Sequence, residues 1–374
     1  MKKRVLSILL SAVLLTALSG CASVFKNEYL SVSKYVDENR GDFSDIVIIS
    51  DYEELKSAII SMVNRHKTYG RLKFTDYDGS LQSDISQACH ELKSESAIVS
   101  YAVNYMSYDL NRIATYYEAA VHISYRRSQS EIDAIRYVTG RKELQEAFAA
   151  VLDNTGSYAA VKIISSTITE EEVKNAVCKA YESNPAGCVV MPKVTVRMHP
   201  QSGVQRIIEV ELKYGRELSE LQEMRSVLRD RIDEISKSIS QEKNAASALE
   251  ACNLLARRCT YDPTGFMRSN DTEQGRGLGS TAYGAIVEGN ADSLGIALAY
   301  AALCRAVGIE CLVVNGSMDE EDHSWNIIKI EGRYYHVDVS AWSSSSSTGD
   351  SFMKSDSQIQ DRYDWDRDSY PVCG

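Results

Sequence analysis

The chain has 374 residues, of which 44% are hydrophobic and 25% are charged, with only five prolines. This composition excludes a disordered or collagen-like chain, and the length suggests two or three domains. The formal net charge is −11 at pH 7, and it becomes −14 if Lys2, Lys3 and Arg4 are removed with a signal segment. Such a negative balance argues against general affinity for nucleic acid or for anionic lipid.

The amino terminus has the pattern of an export signal. Three cations precede an uncharged stretch from Val5 to Leu18, which is long enough for a signal peptide and too short to span a bilayer. The sequence Leu-Ser-Gly-Cys that ends at Cys21 resembles a bacterial lipobox. We therefore expect residues 1–20 to be a lipoprotein signal peptide, Cys21 to carry the lipid and residues 21–45 to form a membrane tether. An ordinary secretory signal is the alternative.

Because no second apolar run of 18 residues follows, the rest of the chain is expected outside the cytoplasm and attached to the membrane by its lipid anchor only. Eight further cysteines remain, at positions 89, 178, 188, 252, 259, 304, 311 and 373. An even number in an exported chain permits disulfides, but eight thiols allow 105 pairings. Buried free thiols are equally ordinary.

Residues 46–215 contain similarities at a constant shift of 89 positions. The aligned segments are Glu54-Leu55 with Glu143-Leu144, Leu72-Lys73-Phe74 with Val161-Lys162-Ile163, and Cys89 with Cys178. A constant shift over this span is typical of an internal repeat. We predict two α/β repeats, each running helix, strand, helix, strand, strand. The two aligned cysteines either meet across a pseudo-twofold axis or are buried separately.

Residues 216–245 are strongly charged and have helical periodicity. The apolar positions recur every three or four residues, at Leu218, Leu221, Met224, Leu228, Ile232 and Ile235. This pattern predicts a connecting helix with one buried face. The remaining residues, 246–374, form the predicted carboxy-terminal domain.

One segment of this domain predicts a buried helix with a polar residue at its start. Positions 293–306 are apolar almost all round, with Asp292 as a suitable N-cap and Gly308 just beyond the end. Ser293 therefore lies in the first turn. There, unpaired backbone N–H groups and the helix dipole favour negative charge, which suits a nucleophile or an oxyanion.

A hairpin follows, with Glu331 and Gly332 as its two-residue turn. In this register, paired positions sum to 663, and the period of two puts His323 and Asp338 on one face as diagonal neighbours, about 7–8 Å apart at the backbone. The carboxylate can then bind one ring nitrogen of the histidine and leave the other available. This pair is the base and orienting acid of a catalytic triad, and Ser293 would complete it.

Four separated motifs, in this order, resemble those of bacterial transglutaminase-like domains. They are the segment from Tyr283 to Ala297, the turn Gly308-Ile309-Glu310-Cys311, His323-Ser324-Trp325-Asn326, and Tyr335-His336-Val337-Asp338-Val339; the ending from Phe352 to Asp356, with Trp365-Asp366 and Tyr370-Pro371, is similar too. The resemblance implies an α+β fold, with a papain-like transglutaminase core preceded by the two α/β repeats and the connecting helix.

The resemblance further implies a Cys-His-Asp triad and acyl transfer, in which a cysteine attacks a glutamine or peptide carbonyl. His323 matches the base and Asp338 the orienting acid, but Ser293 stands where the family has cysteine. A serine hydroxyl is far less acidic than a thiol, and Cys304 lies three turns deeper in the helix. We expect a catalytically degenerate site that binds a peptide or protein; the alternative is an active serine-variant acyltransferase or peptidase.

Other chemistry is less well supported by the sequence. His323, His336 and Asp338 could bind a metal, but their spacing strains a compact site, so no metal and no cofactor are predicted. Residues 260–374 hold 18 acidic and 8 basic residues, including the run Asp319 to Asp322 directly before His323. Such a run is usually a solvated loop. The alternative is that it attracts a cationic partner, such as a lysine-bearing peptide.

Overall fold

The structure is a computed structural model that describes residues 46–165, 167–263, 277–344 and 351–374. The predicted signal peptide, Cys21 and the 21–45 tether lie outside these residues. In the described part of the chain, no helix has both the length and the apolar character that crossing a bilayer requires. The chain divides into two compact units between Ala134 and Ile135, so the predicted 46–215 region extends across this division.

The first unit contains a four-stranded sheet with helices. Its elements are β1 (Ile46–Ile49), α1 (Tyr52–Asn64), β2 (Tyr69–Phe74), α2 (Leu81–Glu95), α3 (Ala97–Ala102), β3 (Val103–Ile113), β4 (Tyr116–Tyr125) and α4 (Gln129–Asp133). The strand order is β1-β2-β4-β3, with β1 parallel to β2 and the other pairs antiparallel. Helix α1 begins at Asp51, whose carboxylate accepts the Glu54 N–H, as expected for an N-cap.

The second unit begins with another four-stranded sheet. Its elements are β5 (Arg136–Val138), α5 (Arg141–Asp153), β6 (Tyr158–Ile164), α6 (Glu170–Glu182), β7 (Lys193–His199) and β8 (Gln205–Lys213). The order is β5-β6-β8-β7, again with a parallel first pair and antiparallel remaining pairs. Helix α6 starts with a capping box formed by Thr169 and Glu172.

Corresponding elements of the two sheets begin at a nearly constant separation along the chain. The separation is 89 residues for α1 and α5, for β2 and β6, and for α2 and α6. The predicted element order omitted the leading strands β1 and β5. These strands have only four and three residues and pair on one side, so they are too short to give a clear period-two pattern.

Two helices follow the second sheet: α7 (Leu218–Ser236) and α8 (Ala245–Arg258). Helix α7 buries five of the six predicted stripe positions, and Leu218 at its first turn is exposed. The predicted connecting helix therefore ends at Ser236, earlier than residue 245, and a separate helix begins at Ala245. Asn244 caps this helix by accepting the Ser247 N–H.

The remaining elements include the buried helix α9 (Ser293–Ala306), a two-stranded parallel pair and a five-stranded sheet. They are β9 (Thr260–Tyr261), a π-helical turn (Gly284–Glu288), β10 (Asn290–Ala291), α9 (Ser293–Ala306), β11 (Cys311–Met318), β12 (Glu321–Ile330), β13 (Arg333–Val337), α10 (Val339–Ser344), β14 (Phe352–Lys354), α11 (Asp356–Ile359) and β15 (Tyr363–Trp365). The sheet order is β14-β13-β12-β11-β15, and all its pairs are antiparallel.

The hairpin between β12 and β13 has the predicted register, because every observed pair from Asn326–Val337 to Ile330–Arg333 sums to 663. Glu331 and Gly332 both have positive φ, at 50° and 82°, which is the type I′ geometry that matches the strand twist. The pairing ends at Val337. The expectation that Asp338 continues the ladder as a diagonal neighbour is wrong, because this residue leaves the sheet to start α10.

Residues of the second unit share one continuous apolar core. It joins Val161 and Val177 of the second sheet layer, Leu228 of α7 and Leu255 of α8 to the buried helix α9. The residues of α9 from Ser293 to Cys304 are all buried, which agrees with its apolar sequence. The second sheet and the helix that carries Ser293 are therefore held together by the same hydrophobic packing.

No disulfide is formed among the eight cysteines of the described residues. Cys89 and Cys178 are each half-buried, and the other six are buried.

Candidate active site

Ser293 is the first residue of α9, and only 4% of it is exposed. Asp292 precedes it as the N-cap, accepting the Gly295 N–H at 2.9 Å and the hydroxyl of Ser280. The Ser293 Oγ accepts a hydrogen bond from the backbone N–H of Ser324 at 3.2 Å. Since the first N–H groups of a helix lack intrahelical acceptors, the hydroxyl lies where the helix dipole favours negative charge.

His323 lies on β12 and is buried together with Asp338. Its Nε2 and the Asp338 Oδ2 are 2.7 Å apart, so these two side chains are in direct contact. Nε2 faces the carboxylate, which leaves Nδ1 as the ring nitrogen that is not committed to Asp338. Nδ1 is the nitrogen nearer the main chain, and the next main-chain N–H, that of Ser324, contacts the Ser293 Oγ.

Asp338 is fixed by four hydrogen bonds. Its Oδ2 accepts from His323 and from the Tyr363 hydroxyl at 2.9 Å. Its Oδ1 accepts from the Ser340 hydroxyl at 2.6 Å and from the Ala341 N–H at 3.0 Å, so that it caps α10. Departure from the ladder is what makes this capping possible. One oxygen of the carboxylate, Oδ1, therefore caps α10, and the other, Oδ2, binds the histidine.

This environment keeps Asp338 ionised. Burial by itself would raise the pKa of the carboxyl, but hydrogen bonds from His323, Ser340 and Ala341, together with the charge of His323, leave the pKa below its usual value. The pKa of Tyr363 is raised, first by burial and then by the charge of Asp338. Tyr363 thus remains a neutral hydroxyl donor to the carboxylate.

The structure brings all three predicted residues to one place but does not complete a hydrogen-bonded triad. His323 and Asp338 are directly bonded. Within the described residues, the hydroxyl of Ser293 is hydrogen-bonded to the Ser324 N–H, and no hydrogen bond joins it to the imidazole of His323. Ser293 is therefore adjacent to the base without being engaged by it.

Three further residues support the site and were not predicted: Tyr363, Ser340 and Asn315. Asn315 accepts the Ser324 hydroxyl at 2.8 Å through Oδ1, and donates from Nδ2 to Glu182 at 2.6 Å. Tyr363 comes from β15, 25 residues after Asp338, and Glu182 comes from α6. Sequence spacing carries no signal for such contacts, because distant elements supply them. Ser340 is the exception, since a serine two residues after an N-cap aspartate is within local reach.

A groove of about 530 Å³ adjoins the site. His323 and Ser324 line it together with Leu294, whereas Ser293 does not. The other lining residues include three exposed carboxylates and three residues of β11; these residues are Asp322, Asp364, Asp366, Asn315, Gly316 and Ser317. The groove beside the dyad is therefore acidic.

The acidic run before His323 is divided between a turn and a strand: Asp319 and Glu320 form the turn between β11 and β12, and Glu321 and Asp322 begin β12. Asp319 and Glu320 have positive φ there, and the Asp319 carboxylate accepts two hydrogen bonds from Arg362, at 2.6 and 3.1 Å. The hydrogen bonding of Arg362 is the main cause of the lowered pKa of Asp319. Only Asp322 of the run lines the groove.

His336 does not join His323 in a metal site. Its Nδ1 accepts the indole N–H of Trp325 at 3.0 Å, and its Nε2 faces the Asp356 Oδ1 at 2.8 Å. His336, Asp356 and Cys373 offer three potential metal-ligand atoms within 4.8 Å of one another. However, an indole N–H can only donate, so Nδ1 is an acceptor and Nε2 holds the proton. Nε2 therefore carries a proton and has no lone pair with which to bind a metal.

Neither Cys304 nor Cys373 is suited to act as a thiol nucleophile. Cys304 is fully buried in α9, and burial raises the pKa of its thiol well above the usual value. Cys373 is also buried, and burial together with the charge of Asp356 raises the pKa of this thiol to about 12. Both nitrogens of the neighbouring His336 are already engaged, so Cys373 has no base. A thiol nucleophile requires a depressed pKa.

Comparison with known families agrees with this geometry. Residues 230–339 match the profile described as the transglutaminase-like superfamily, and this range includes Ser293, His323 and Asp338. This part of the chain is therefore similar to transglutaminase-like domains. No curated protein matches the chain.

Similar solved structures were also found. One is described as a TGase, at 13% identity and a TM-score of 0.29, covering 57% of this chain and 56% of that one. Another is a candidate cysteine protease from Cytophaga hutchinsonii, at 12% identity and a TM-score of 0.24, covering 40% and 62%. A candidate protease from Parabacteroides distasonis has 8% identity and a TM-score of 0.19, covering 73% and 43%. Each match spans about half the length of the other protein.

Proposed function

We propose that the transglutaminase-like domain is a catalytically degenerate acyl-transfer site that binds a peptide or protein segment. The observation that carries this proposal is the Ser293 hydroxyl, which accepts the Ser324 N–H and has no hydrogen bond to His323 within the described residues. A papain-like site relies on a thiolate formed before attack. A hydroxyl at this position has to lose its proton as the bond forms, and no base engages it here.

A second function, acyl transfer or peptide hydrolysis with Ser293 as nucleophile, is favoured by the intact base. The His323–Asp338 hydrogen bond of 2.7 Å has the geometry of a base with its orienting acid. The Nδ1 of His323 is uncommitted, and the backbone N–H groups at the start of α9 are suited to an oxyanion. A Ser293 hydroxyl that turned from the Ser324 N–H to the imidazole would then assemble a serine triad.

For the ligand, we propose a cationic peptide or protein segment. Three exposed carboxylates, those of Asp322, Asp364 and Asp366, line the groove beside His323. Their fields add over the groove and attract positive charge, most strongly at low ionic strength. The net charge of the whole chain, −11, has the same sign.

We also propose that the protein is an extracytoplasmic bacterial lipoprotein anchored through Cys21, on the basis of the amino-terminal sequence alone. Metabolic labelling with a clickable fatty acid, compared between wild type and Cys21→Ala, tests this proposal. The two four-stranded sheets are proposed to be copies of one module. Their common strand order and the 89-residue spacing of their helices support a duplication.

The catalytic alternatives are separated by an assay of amine incorporation into a glutamine-bearing protein, together with peptide cleavage. The samples are the full-length wild type, Ser293→Cys, and each of these with His323→Ala. For a degenerate site, wild type is silent, Ser293→Cys gains activity, and His323→Ala abolishes that gain. Wild-type activity that disappears with His323→Ala would instead establish the serine enzyme. If none of the samples is active, a thiol does not restore chemistry at this site, and the proposal of a degenerate acyl-transfer site would be contradicted.

The ligand is tested by calorimetric titration with a lysine-rich peptide and with a peptide of the same length carrying glutamates. We expect binding of the cationic peptide only, weakened by added salt and by Asp364→Asn. Asp361→Asn is the matched control, because Asp361 is an exposed aspartate of the same domain that does not line the groove. Equal affinity for both peptides would refute the choice of a cationic ligand.

A further inference from the structure

A second histidine–carboxylate pair lies behind the candidate site. His336 is 2% exposed, and its two ring nitrogens contact the Trp325 indole N–H at 3.0 Å and the Asp356 carboxylate at 2.8 Å. Trp325 is itself 1% exposed. Neither the acyl-transfer chemistry nor the groove uses this pair, so its polar groups require another explanation.

The hydrogen bonds determine the protonation state of His336. The indole N–H is only a donor, so Nδ1 must present a lone pair to Trp325, and the ring proton lies on Nε2. That proton is donated to Asp356, whose own position is set by the backbone N–H of Cys373 at 3.3 Å. His336 is thus a neutral imidazole with both nitrogens satisfied. A protonated ring would direct an N–H at the indole N–H, and the contact to Trp325 would be lost.

The indole of Trp325, held by His336, also lies beside the imidazole of His323. The two rings lie nearly parallel, with an interplanar angle of 24° and centroids 6.3 Å apart. Tyr363 and Trp365 enclose the indole edge-to-face, at centroid distances of 5.0 and 5.9 Å. The face of Trp325 towards His323 therefore limits the planes that the imidazole can adopt while it remains bonded to Asp338.

We propose that Asp356 and His336 are positioning residues that hold the indole of Trp325 by its N–H and, through it, orient the imidazole of His323. This inference rests on the proposed function only in assigning His323 the role of base. The hydrogen bond from Trp325 to His336 is independent of any catalysis. Asp356→Asn should preserve much of the effect, because an amide oxygen still accepts the Nε2 proton, whereas Asp356→Leu should not.

The charges around His336 determine the pH at which its hydrogen bond with Trp325 breaks. Burial lowers the pKa of His336, Asp356 raises it in part, and Arg367 lowers it further; the net pKa lies below the usual value. The thiol of Cys373 also lies close to the ring, and Lys354 of β14 is the cross-strand neighbour of His336. The indole contact should therefore persist through the pH range in which exposed histidines titrate and break only at lower pH.

The direct test is the indole ¹H–¹⁵N resonance of Trp325 in the full chain, assigned by its loss in Trp325→Phe. We expect a hydrogen-bonded indole that moves upfield in His336→Leu, moves little in Asp356→Asn, and in wild type titrates below the pH of an exposed histidine. Tyr334→Phe, on the same strand with its hydroxyl at the exposed Glu310, is the matched control and should change nothing. A resonance indifferent to His336→Leu and to pH would overturn the proposal.

The effect on His323 is measured in the Ser293→Cys background, by the pH dependence of alkylation of the introduced thiol, located by peptide mass spectrometry. We expect His336→Leu to lower the rate near pH 6 by about tenfold, which corresponds to one unit of thiol pKa. An activated thiol that is unaffected by His336→Leu and Asp356→Leu would refute positioning while leaving the proposed function intact. A thiol that behaves as an ordinary cysteine would refute the proposed function, and the indole resonance alone would then decide whether His336 holds Trp325.

Discussion

Asp338→Asn tests the electrostatic core of the site. The asparagine can keep its oxygen towards Ser340 and Ala341 and so preserve two of the four hydrogen bonds. Its amide then faces the two donors that Oδ2 accepts in the wild type, those of His323 and Tyr363. Removing one partner of a buried charged pair costs about 3–5 kcal/mol. Because two bonds survive, we expect the lower end, about 3 kcal/mol less stability at pH 7.

The pH dependence of this difference separates charge from packing. The folded-state pKa of Asp338 lies below its usual value, so the folded chain binds fewer protons than the unfolded chain at acid pH. The stabilisation is therefore complete above the unfolded pKa, near about 3.9, and is lost as the pH falls through the folded pKa. The difference between wild type and Asp338→Asn should be constant from pH 8 to 5 and shrink below pH 4.

The measurement is urea unfolding followed by circular dichroism at each pH, with Asp361→Asn as the exposed control. An Asp338→Asn variant as stable as wild type at pH 7 would refute the reasoning, as would a difference that persists undiminished at pH 3. The same variant should also move the His323 proton to Nδ1, because the amide now donates to Nε2. In the Ser293→Cys background, the introduced thiol should therefore lose its activation.

Three further changes act at named contacts, each measured by the urea midpoint of unfolding. Tyr363→Phe removes one donor from a buried carboxylate and should cost about 1.5–3 kcal/mol; no loss would mean that Asp338 is satisfied without it. Gly316→Ala directs a methyl group at the Asp364 backbone carbonyl. It should cost about 1–3 kcal/mol by forcing β15 away; no loss of stability would mean that β15 can shift without cost. Thr169→Ala removes the cap of α6 and should cost about 1 kcal/mol, a loss that Thr169→Ser should not reproduce.

Local patterns accounted for much of the carboxy-terminal architecture. The Glu331-Gly332 turn determined the register of β12 and β13, because two-residue turns with positive φ permit few alternatives. The apolar sequence after Asp292 identified the start of α9 and placed Ser293 in its first turn. These features depend on residues within a few positions of one another, and such signals can be read from sequence alone.

The parts of the site that could not be predicted depend on distant residues. The contact between Asp338 and His323 was predicted, but the departure of Asp338 from the sheet to cap α10 was not, because the hydrophobic pattern of β13 contains no sign of where the strand ends. The hydroxyl of Tyr363 reaches Asp338 only after β15 pairs with β11. The sequence left His336 open as a possible metal ligand. Its role is set by the hydrogen bond from the indole N–H of Trp325, and strand register alone does not reveal that contact.

The second sheet belongs to the scaffold of the site. The buried carboxylate of Glu182, at the end of α6, accepts a hydrogen bond from Asn315. Asn315 in turn fixes the hydroxyl of Ser324, whose backbone N–H holds the hydroxyl of Ser293. The guanidinium of Arg305, on the helix that starts at Ser293, donates to the Glu182 and Ser183 carbonyls. A domain boundary drawn between α6 and α9 would therefore cut the hydrogen bonds that link Glu182, through Asn315 and Ser324, to the hydroxyl of Ser293.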